Sequence, residues 1–304
     1  MIKRTLYFGN PAYLRLKNEQ LEVNIPGADG MDKLIGNTIP IEDIGVMIID
    51  HSQITITHGL IHKLLDNNVA LVTCDPTHHP AGLLLPLSVN TLQQDRFTDQ
   101  INASEPLKKQ LWQQTIKAKI KNQAALLEIS GTNAQTMRIW SNEVTSGDTL
   151  NHEARAAAFY WKSIFAPLIP DFIRGRKEGY PNNLLNYGYA ILRATVARGL
   201  VGSGLLPTLG IHHSNKYNAY CLADDIMEPY RPFVDHVVWN ILQETSTIER
   251  LTNEHKRRLV EVLTQDVKMD GETSPLQIAL NKTTSSLAKC FLGKAKRISY
   301  PIGP

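Results

Sequence analysis

The sequence predicts an α+β protein, with a β-rich N-terminal domain carrying one short helix and a larger all-α domain after it. Three observations point there. Apolar and polar residues alternate through the first third of the chain, apolar residues recur at helical spacing from Pro106 onward, and 304 residues with 42% hydrophobic content are enough for two cores at roughly 100–200 residues per domain.

Leu14 and Leu16 alternate with Arg15 and Lys17, and Leu21, Val23 and Ile25 with Glu22 and Asn24, across a polar turn at Asn18 and Glu19. Successive strand side chains point to opposite faces, so the spacing predicts a hairpin with one buried face. The β-branched runs 46–49 and 54–57, separated by Asp50, His51 and Ser52, predict a second pair of strands. Residues 58–67 put Leu60, Ile61, Leu64 and Leu65 on one stripe, the mark of a short amphipathic helix, and VALVTC behind it reads as a buried strand. Residues 88–104 show no clear period, so the expected limits are 1–88 for the β-rich domain, 89–104 for a linker and 105–304 for the helical domain.

In the helical part Leu107, Leu111, Trp112, Ile116 and Ile120 recur at helical spacing, with Lys108, Lys109, Lys117, Lys119 and Lys121 over much of the remainder. Such a lysine face is either solvated surface or a DNA contact. Further helices are expected over 152–165, around Ala156, Ala157 and Ala158, and over 182–201, with Gly202 and Gly204 as stop signals.

Composition excludes several classes. No apolar run approaches the roughly 18 residues of a membrane span, and the start, MIKRTLYFGN, lacks the apolar stretch of a secretory signal; a cytoplasmic protein with no membrane association is expected. Cys74, Cys221 and Cys290 are scattered, without the paired spacing of a zinc site or disulfide framework, and read as buried small side chains. A net charge of +3 is too small to announce nucleic-acid binding, which needs a local patch.

The densest polar constellation is GIHHSNKYNAYCLADDIMEPYRP, residues 210–232. Asp225 and Glu228 are three apart, so on a helix they share a face and can serve one cation, directly or through water. Pro229 suits the first turn of a new helix, placing Glu228 at an element boundary. The alternative is structural: carboxylates near a helix start cap backbone amides or meet Arg231, and a lone histidine is more often packed or solvated than ligating. The chain has no nucleotide-binding glycine loop and no GxSxG elbow to offer a rival site, and Ser214 beside His213 is a coincidental grouping.

Taken together, DIMEPYRP, the upstream IHHSN, the helical EARAAAFYW, and the segments LWQQTIKAKIKNQ and NYGYAILRA resemble the CRISPR-associated protein one family, especially its members from type II loci. The resemblance runs over nearly all of the chain. It implies that Glu153, His213 and Glu228 bind a divalent metal, Mg²⁺ or Mn²⁺, with Asp225 as an auxiliary catalytic carboxylate. His213 is preferred to His212 because it keeps the family's His-x-Asn spacing. Ala154 after Glu153 departs from the more usual glycine, and Asp224 adds a second acid beside Asp225.

The implied reaction is integration during spacer acquisition in antiviral defence: a 3′-hydroxyl of a captured DNA fragment attacks a phosphodiester of the CRISPR repeat. The implied partners are that DNA, a second copy of the chain through the N-terminal domain, and the small CRISPR-associated protein two. The same site could instead serve a free-standing metal-dependent nuclease acting on branched DNA in repair. Basic candidates for DNA contact are Arg174, Arg176 and Lys177, or else a solvated turn, and Lys289, Lys294, Lys296 and Arg297, or else a mobile tail ending in SYPIGP.

Overall fold

The structure, a computed structural model, describes residues 3–25, 38–175, 179–244 and 251–304. It divides into two compact units, Met1–Thr91 and Leu92–Pro304.

The N-terminal unit holds the strands β1 (Arg4–Phe8), β2 (Ala12–Lys17), β3 (Gln20–Asn24), β4 (Thr38–Pro40), β5 (Ile44–Ile49) and β6 (Ile54–Ile56), the helix α1 (His58–Asp66), then β7 (Ala70–Cys74) and β8 (Pro80–Leu84). The expected hairpin is β2–β3, with Lys17 opposite Gln20 and both loop residues, Asn18 and Glu19, at positive φ. Two consecutive left-handed residues match the twist of the flanking strands. Runs 46–49 and 54–57 are both strands but do not form a pair: β5 lies between β1 and β7 in one sheet, ordered β1-β5-β7-β8, whereas β6 joins β2 in a second, ordered β4-β3-β2-β6. The all-apolar β5 is buried along nearly its whole length, as a strand covered on both faces must be. On α1 the expected stripe is buried at Leu60 and Leu64, which join Leu14, Leu21, Ile44 and Met47 in one core.

The second unit begins with α2 (Gln93–Ile101) and α3 (Glu105–Ile129). A helix therefore occupies the stretch expected as a linker. Its buried residue is a glutamine, invisible to an apolar-period reading: Gln100 Nε2 donates to the carbonyls of Leu206 and Leu209, at 3.0 Å each, and its Oε1 accepts from Leu206 N at 2.8 Å. Next come α4 (Gln135–Glu143), α5 (His152–Ile164), α6 (Asn182–Gly202), α7 (Cys221–Met227), α8 (Arg231–Glu244), α9 (Asn253–Glu261), a hairpin of β9 (Asp266–Met269) and β10 (Glu272–Pro275), and α10 (Leu276–Phe291). The hairpin corrects the all-α expectation. Its two-residue Asp270-Gly271 loop, both at positive φ, is a turn signal present in the sequence.

The tail 298–304 is docked rather than mobile. Tyr300 Oη and Thr115 Oγ1 share a 2.8 Å hydrogen bond, Asn122 Nδ2 donates to Pro301 O at 3.1 Å, Gly303 N donates to Asn122 Oδ1 at 2.9 Å, and Ile302 pairs with Lys268 of β9. Cys221 and Cys290 are buried and Cys74 is half-buried, and none of the three is in a disulfide among the described residues. Among the described residues no helix is long and apolar enough to cross a membrane.

Candidate active site

Helix α3 is the rail on which the site is built. Trp112, Lys119 and Asn122 follow one another at steps of seven and three residues, so their side chains share one face of the helix. Trp112 stacks on His212 with centroids 4.1 Å apart and planes 3° from parallel, and meets His213 edge-on at 5.7 Å. Asn122 Nδ2 donates to Pro229 O at 2.7 Å, fixing the turn that carries Glu228.

Between these contacts Lys119 Nζ lies 2.7 Å from Glu153 Oε1 and 2.6 Å from Glu228 Oε2. Sequence reasoning placed Lys119 on a lysine face that is either solvated or in contact with DNA, yet the residue is 8% exposed. The signal was its position: seven residues after buried Trp112 and beside buried Ile116 and Ile120, it falls on the apolar stripe. Burial opposes its charge, but the Glu228 and Glu153 carboxylates outweigh burial and hold the ammonium above its ordinary pKa.

Glu153 sits in the first turn of α5, where Asp148 receives the backbone N–H groups of His152 at 3.0 Å and Glu153 at 2.8 Å. A carboxylate at a helix start satisfies amides that have no partner within the helix, and it fixes where the helix begins. Glu228 occupies the boundary between α7 and α8, followed by Pro229 at the start of a short 3₁₀ turn, as the sequence predicted. Arg231 Nη2 contacts Glu228 Oε1 at 2.9 Å. Burial alone would raise the Glu228 pKa; Arg231 and Lys119 outweigh it and keep the carboxyl below its usual range.

Asp225 is 0% exposed and saturated with donors: backbone N–H groups of Ile211 at 2.7 Å, His212 at 2.9 Å and His213 at 3.2 Å, and His213 Nδ1–H at 2.5 Å. It therefore organises the 210–214 loop and fixes the His213 tautomer, leaving the imidazole lone pair on Nε2. That hydrogen bond raises the His213 pKa against the opposing effect of burial, with help from the charges of Asp225, Glu228 and Glu153. Gly210 is required by close approach, since a Cβ there would lie 2.2 Å from the His213 carbonyl and 2.8 Å from Asp225 Oδ2. Asp224 faces elsewhere, accepting from Arg193 Nε at 2.6 Å and Asn218 Nδ2 at 2.7 Å. Both structural alternatives open at the sequence level are thus realised, with Asp225 on backbone amides and Glu228 on Arg231, and they coexist with a convergent acidic pair.

Among the described residues no three His, Cys, Asp or Glu side chains close into a metal cage. Instead an ammonium stands between two carboxylates, marking where positive charge is stabilised. Two hard oxygen donors, and an imidazole oriented by a buried carboxylate, are a donor set that fits Mg²⁺ or Mn²⁺. Beside His213 opens a cavity of about 390 Å³, partly walled by Lys108, Ser214, Asn215 and Lys216.

Of the basic candidates, Arg174 donates to Gly175 O, Asn182 Oδ1 and Asn186 Oδ1 and lies over Trp161 and Tyr189, so its guanidinium is committed within the fold rather than free for DNA. Arg176 and Lys177 lie outside the described residues. Lys289, Lys294, Lys296 and Arg297 are all exposed. Behind the site, Tyr160 Oη at 2.7 Å and Tyr189 Oη donate to Asp235, whose burial pushes its pKa up to about 6.

A family model described as "CRISPR associated protein Cas1" matches residues 6–265. The chain belongs to the Cas1 family. Over 304 residues it is 36% identical to a CRISPR-associated endonuclease Cas1 of Neisseria meningitidis serogroup C (strain 8013), covering 99% of this chain and 96% of that protein. The fold is shared with a casposase bound to integration product, at a TM-score of 0.79 and 21% identity over 98% of this chain and 92% of that one. It is shared also with a Cas6-RT-Cas1–Cas2 complex, at a TM-score of 0.73 and 21% identity over 97% of this chain and 35% of that one. Membership in Cas1 assigns the protein to the CRISPR-associated endonucleases and bears out the resemblance read from DIMEPYRP, IHHSN and EARAAAFYW.

Proposed function

We propose that this protein is a metal-dependent DNA integrase and endonuclease of CRISPR adaptation, in which Glu153, His213 and Glu228 hold Mg²⁺ or Mn²⁺. The observation that carries this reading is the cation held between Glu153 and Glu228, next to a histidine whose Nδ1 is fixed by buried Asp225. The integration product named for the casposase and the Cas2 named in the complex support DNA and the small Cas2 protein as partners. The homodimer formed through the N-terminal unit belongs to the same proposal.

In the reaction, the 3′-hydroxyl of a captured fragment gives up its proton as its oxygen bonds to an array phosphorus, the bond to the array's own 3′-oxygen breaks, and that leaving oxygen takes up a proton. The number of phosphodiester bonds is conserved, so no external energy source is needed. The bound ion supplies electrostatic stabilisation of the charge that grows on the phosphate and leaving oxygen. Glu153, His213 and Glu228 would hold that ion. Asp225 keeps His213 in one tautomer and one orientation, and Trp112 clamps the loop that carries it. Lys108 and Lys216, beside His213, offer positive charge to an approaching phosphate backbone.

The test is strand transfer of a short 3′-hydroxyl duplex into a repeat-bearing plasmid, with Cas2 and Mn²⁺ or Mg²⁺. We expect joining by the wild type and its loss, by about 10²–10³-fold or more, in Glu153→Ala, His213→Ala and Glu228→Ala with DNA binding retained. Metal-dependent cleavage without joining would replace the integrase reading with that of a repair nuclease.

A further inference from the structure

Lys119 is unlike the other basic residues of α3, because its ammonium touches both carboxylates of the site and nothing in the family reading gives it a task. We propose that Lys119 is a displaceable counter-ion: it holds Glu153 and Glu228 together while the divalent ion is absent, yields them when that ion binds, and then offers its ammonium to a DNA phosphate. The proposal rests on the reading of Glu153, His213 and Glu228 as a metal site.

Charge balance makes the argument. Glu153 and Glu228 are answered by Lys119, at 2.7 and 2.6 Å, and by Arg231 at 2.9 Å from Glu228. Two negative charges against two positive ones leave this group neutral. A divalent ion entering it would leave an excess of two positive charges in a largely buried place, where unbalanced charge is costly. A resident cation must therefore move or acquire an anion.

The two cations differ in their freedom to do so. The Arg231 guanidinium also lies over the Tyr189 ring, 4.8 Å from its centroid, at the start of α8. Its planar group is held by stacking as well as by charge. Lys119 is a point charge on a flexible four-carbon stem, and it touches Glu153 Oε1 and Glu228 Oε2 at once, so one side-chain rotation frees an oxygen of each carboxylate. The released ammonium remains beside the site to which the reaction brings a phosphate. Metal and DNA then favour each other's binding: the metal frees Lys119 for the phosphate, and the phosphate draws Lys119 off the carboxylates. Such linkage is necessarily reciprocal.

The experiment is a Mn²⁺ titration of the full chain followed by the electron paramagnetic resonance of free Mn²⁺, with and without a short DNA duplex. It compares wild type, Lys119→Met, Lys119→Arg and Glu153→Gln. Without DNA, Lys119→Met should bind Mn²⁺ about tenfold tighter than wild type, because the competing charge is gone, whereas Lys119→Arg should not gain. Adding the duplex should tighten Mn²⁺ binding by about tenfold in wild type and by much less in Lys119→Met. If Lys119→Met does not melt cooperatively in EDTA, Lys119→Gln, which keeps a polar end, serves in its place. Affinity in the uncharged variant no tighter than wild type, or an undiminished gain with DNA, overturns the proposal alone. Wild-type Mn²⁺ binding that Glu153→Gln leaves untouched overturns the metal-site reading, and this proposal with it.

Discussion

In the N-terminal unit, the buried carboxylates among the described residues are Glu22 and Asp50, each met by half-exposed partners at the rim: Arg15 and Lys17 for Glu22, and His78 for Asp50, with the Tyr7 hydroxyl behind it. In the helical unit Asp225, Glu228 and Asp235 are buried together with Lys119, and several of their partners are buried as well. A rim pair keeps water within reach, so losing one partner lets the other rehydrate. An interior network has no such relief, and removing one member strands the rest. The difference teaches that, around the candidate site, the helical unit holds its interior charge as an interlocked set.

The largest effect should come from breaking that set at Asp225. Replacing it with alanine leaves three backbone N–H groups and His213 Nδ1 without their acceptor, and urea denaturation should show a loss of about 3–5 kcal/mol. Glu22→Ala should cost clearly less, because its partners Arg15 and Lys17 can rehydrate. Equal costs would erase the contrast between the two units.

Asp235 sharpens the comparison through pH. Its pKa rises from 3.8 in the ordinary carboxyl to about 6 in the fold, so between those values the folded state binds more protons than the unfolded one. Its stabilisation is present below pH 3.8 and is lost as pH rises to about 6. Relative to Asp235→Asn, the wild type should lose about 2 kcal/mol between pH 4 and 7, read from denaturation midpoints of the two proteins. A flat difference would mean that Asp235 titrates as if it were exposed.

His213 gives a smaller, metal-linked effect. Nε2 must be unprotonated to bind a divalent ion, and the Asp225 hydrogen bond raises the His213 pKa. Mn²⁺ affinity should therefore fall by up to about tenfold per pH unit, with the decline setting in above the ordinary histidine value of about 6.5. Calorimetric titrations from pH 8 to 5.5 would show the fall, and a constant affinity would remove His213 from the ligand set.

The smallest effect belongs to the exposed residues Lys289, Lys294, Lys296 and Arg297. Neutralising one that touches phosphate should lower the slope of log affinity against log salt by about 0.9 and leave stability unchanged. An unchanged slope for all four would move the proposed DNA contact to other residues, Lys108 and Lys216 first among them.

Much of this was legible because it is local. Alternation gave the β2–β3 hairpin, one apolar stripe gave α1, and a run of short motifs gave the family. The resemblance also singled out Glu153, His213 and Glu228, whose positions on the fold support the proposed ligand set. Elements organised by polar or single-residue signals were missed: α2 because its buried anchor is Gln100, and the β9–β10 hairpin because its Asp270-Gly271 turn lies within a stretch otherwise read as helical.

By itself, then, the sequence determined the β-then-α order, the periodicity of its longest elements and the family to which the chain belongs, since each is written in residues that are close together or in a fixed pattern. Tertiary structure decided what depends on distant partners. It sent β5 and β6 to different sheets, tied half-buried Arg174 to Asn182 and Asn186, and docked the 298–304 tail on Thr115, Asn122 and Lys268. It also assigned Asp225 to His213 and turned Lys119 inward to Glu153, 34 residues away along the chain. The physical reason is that burying a charge is decided by what stands opposite it, and residues opposite one another in space have no fixed spacing in sequence.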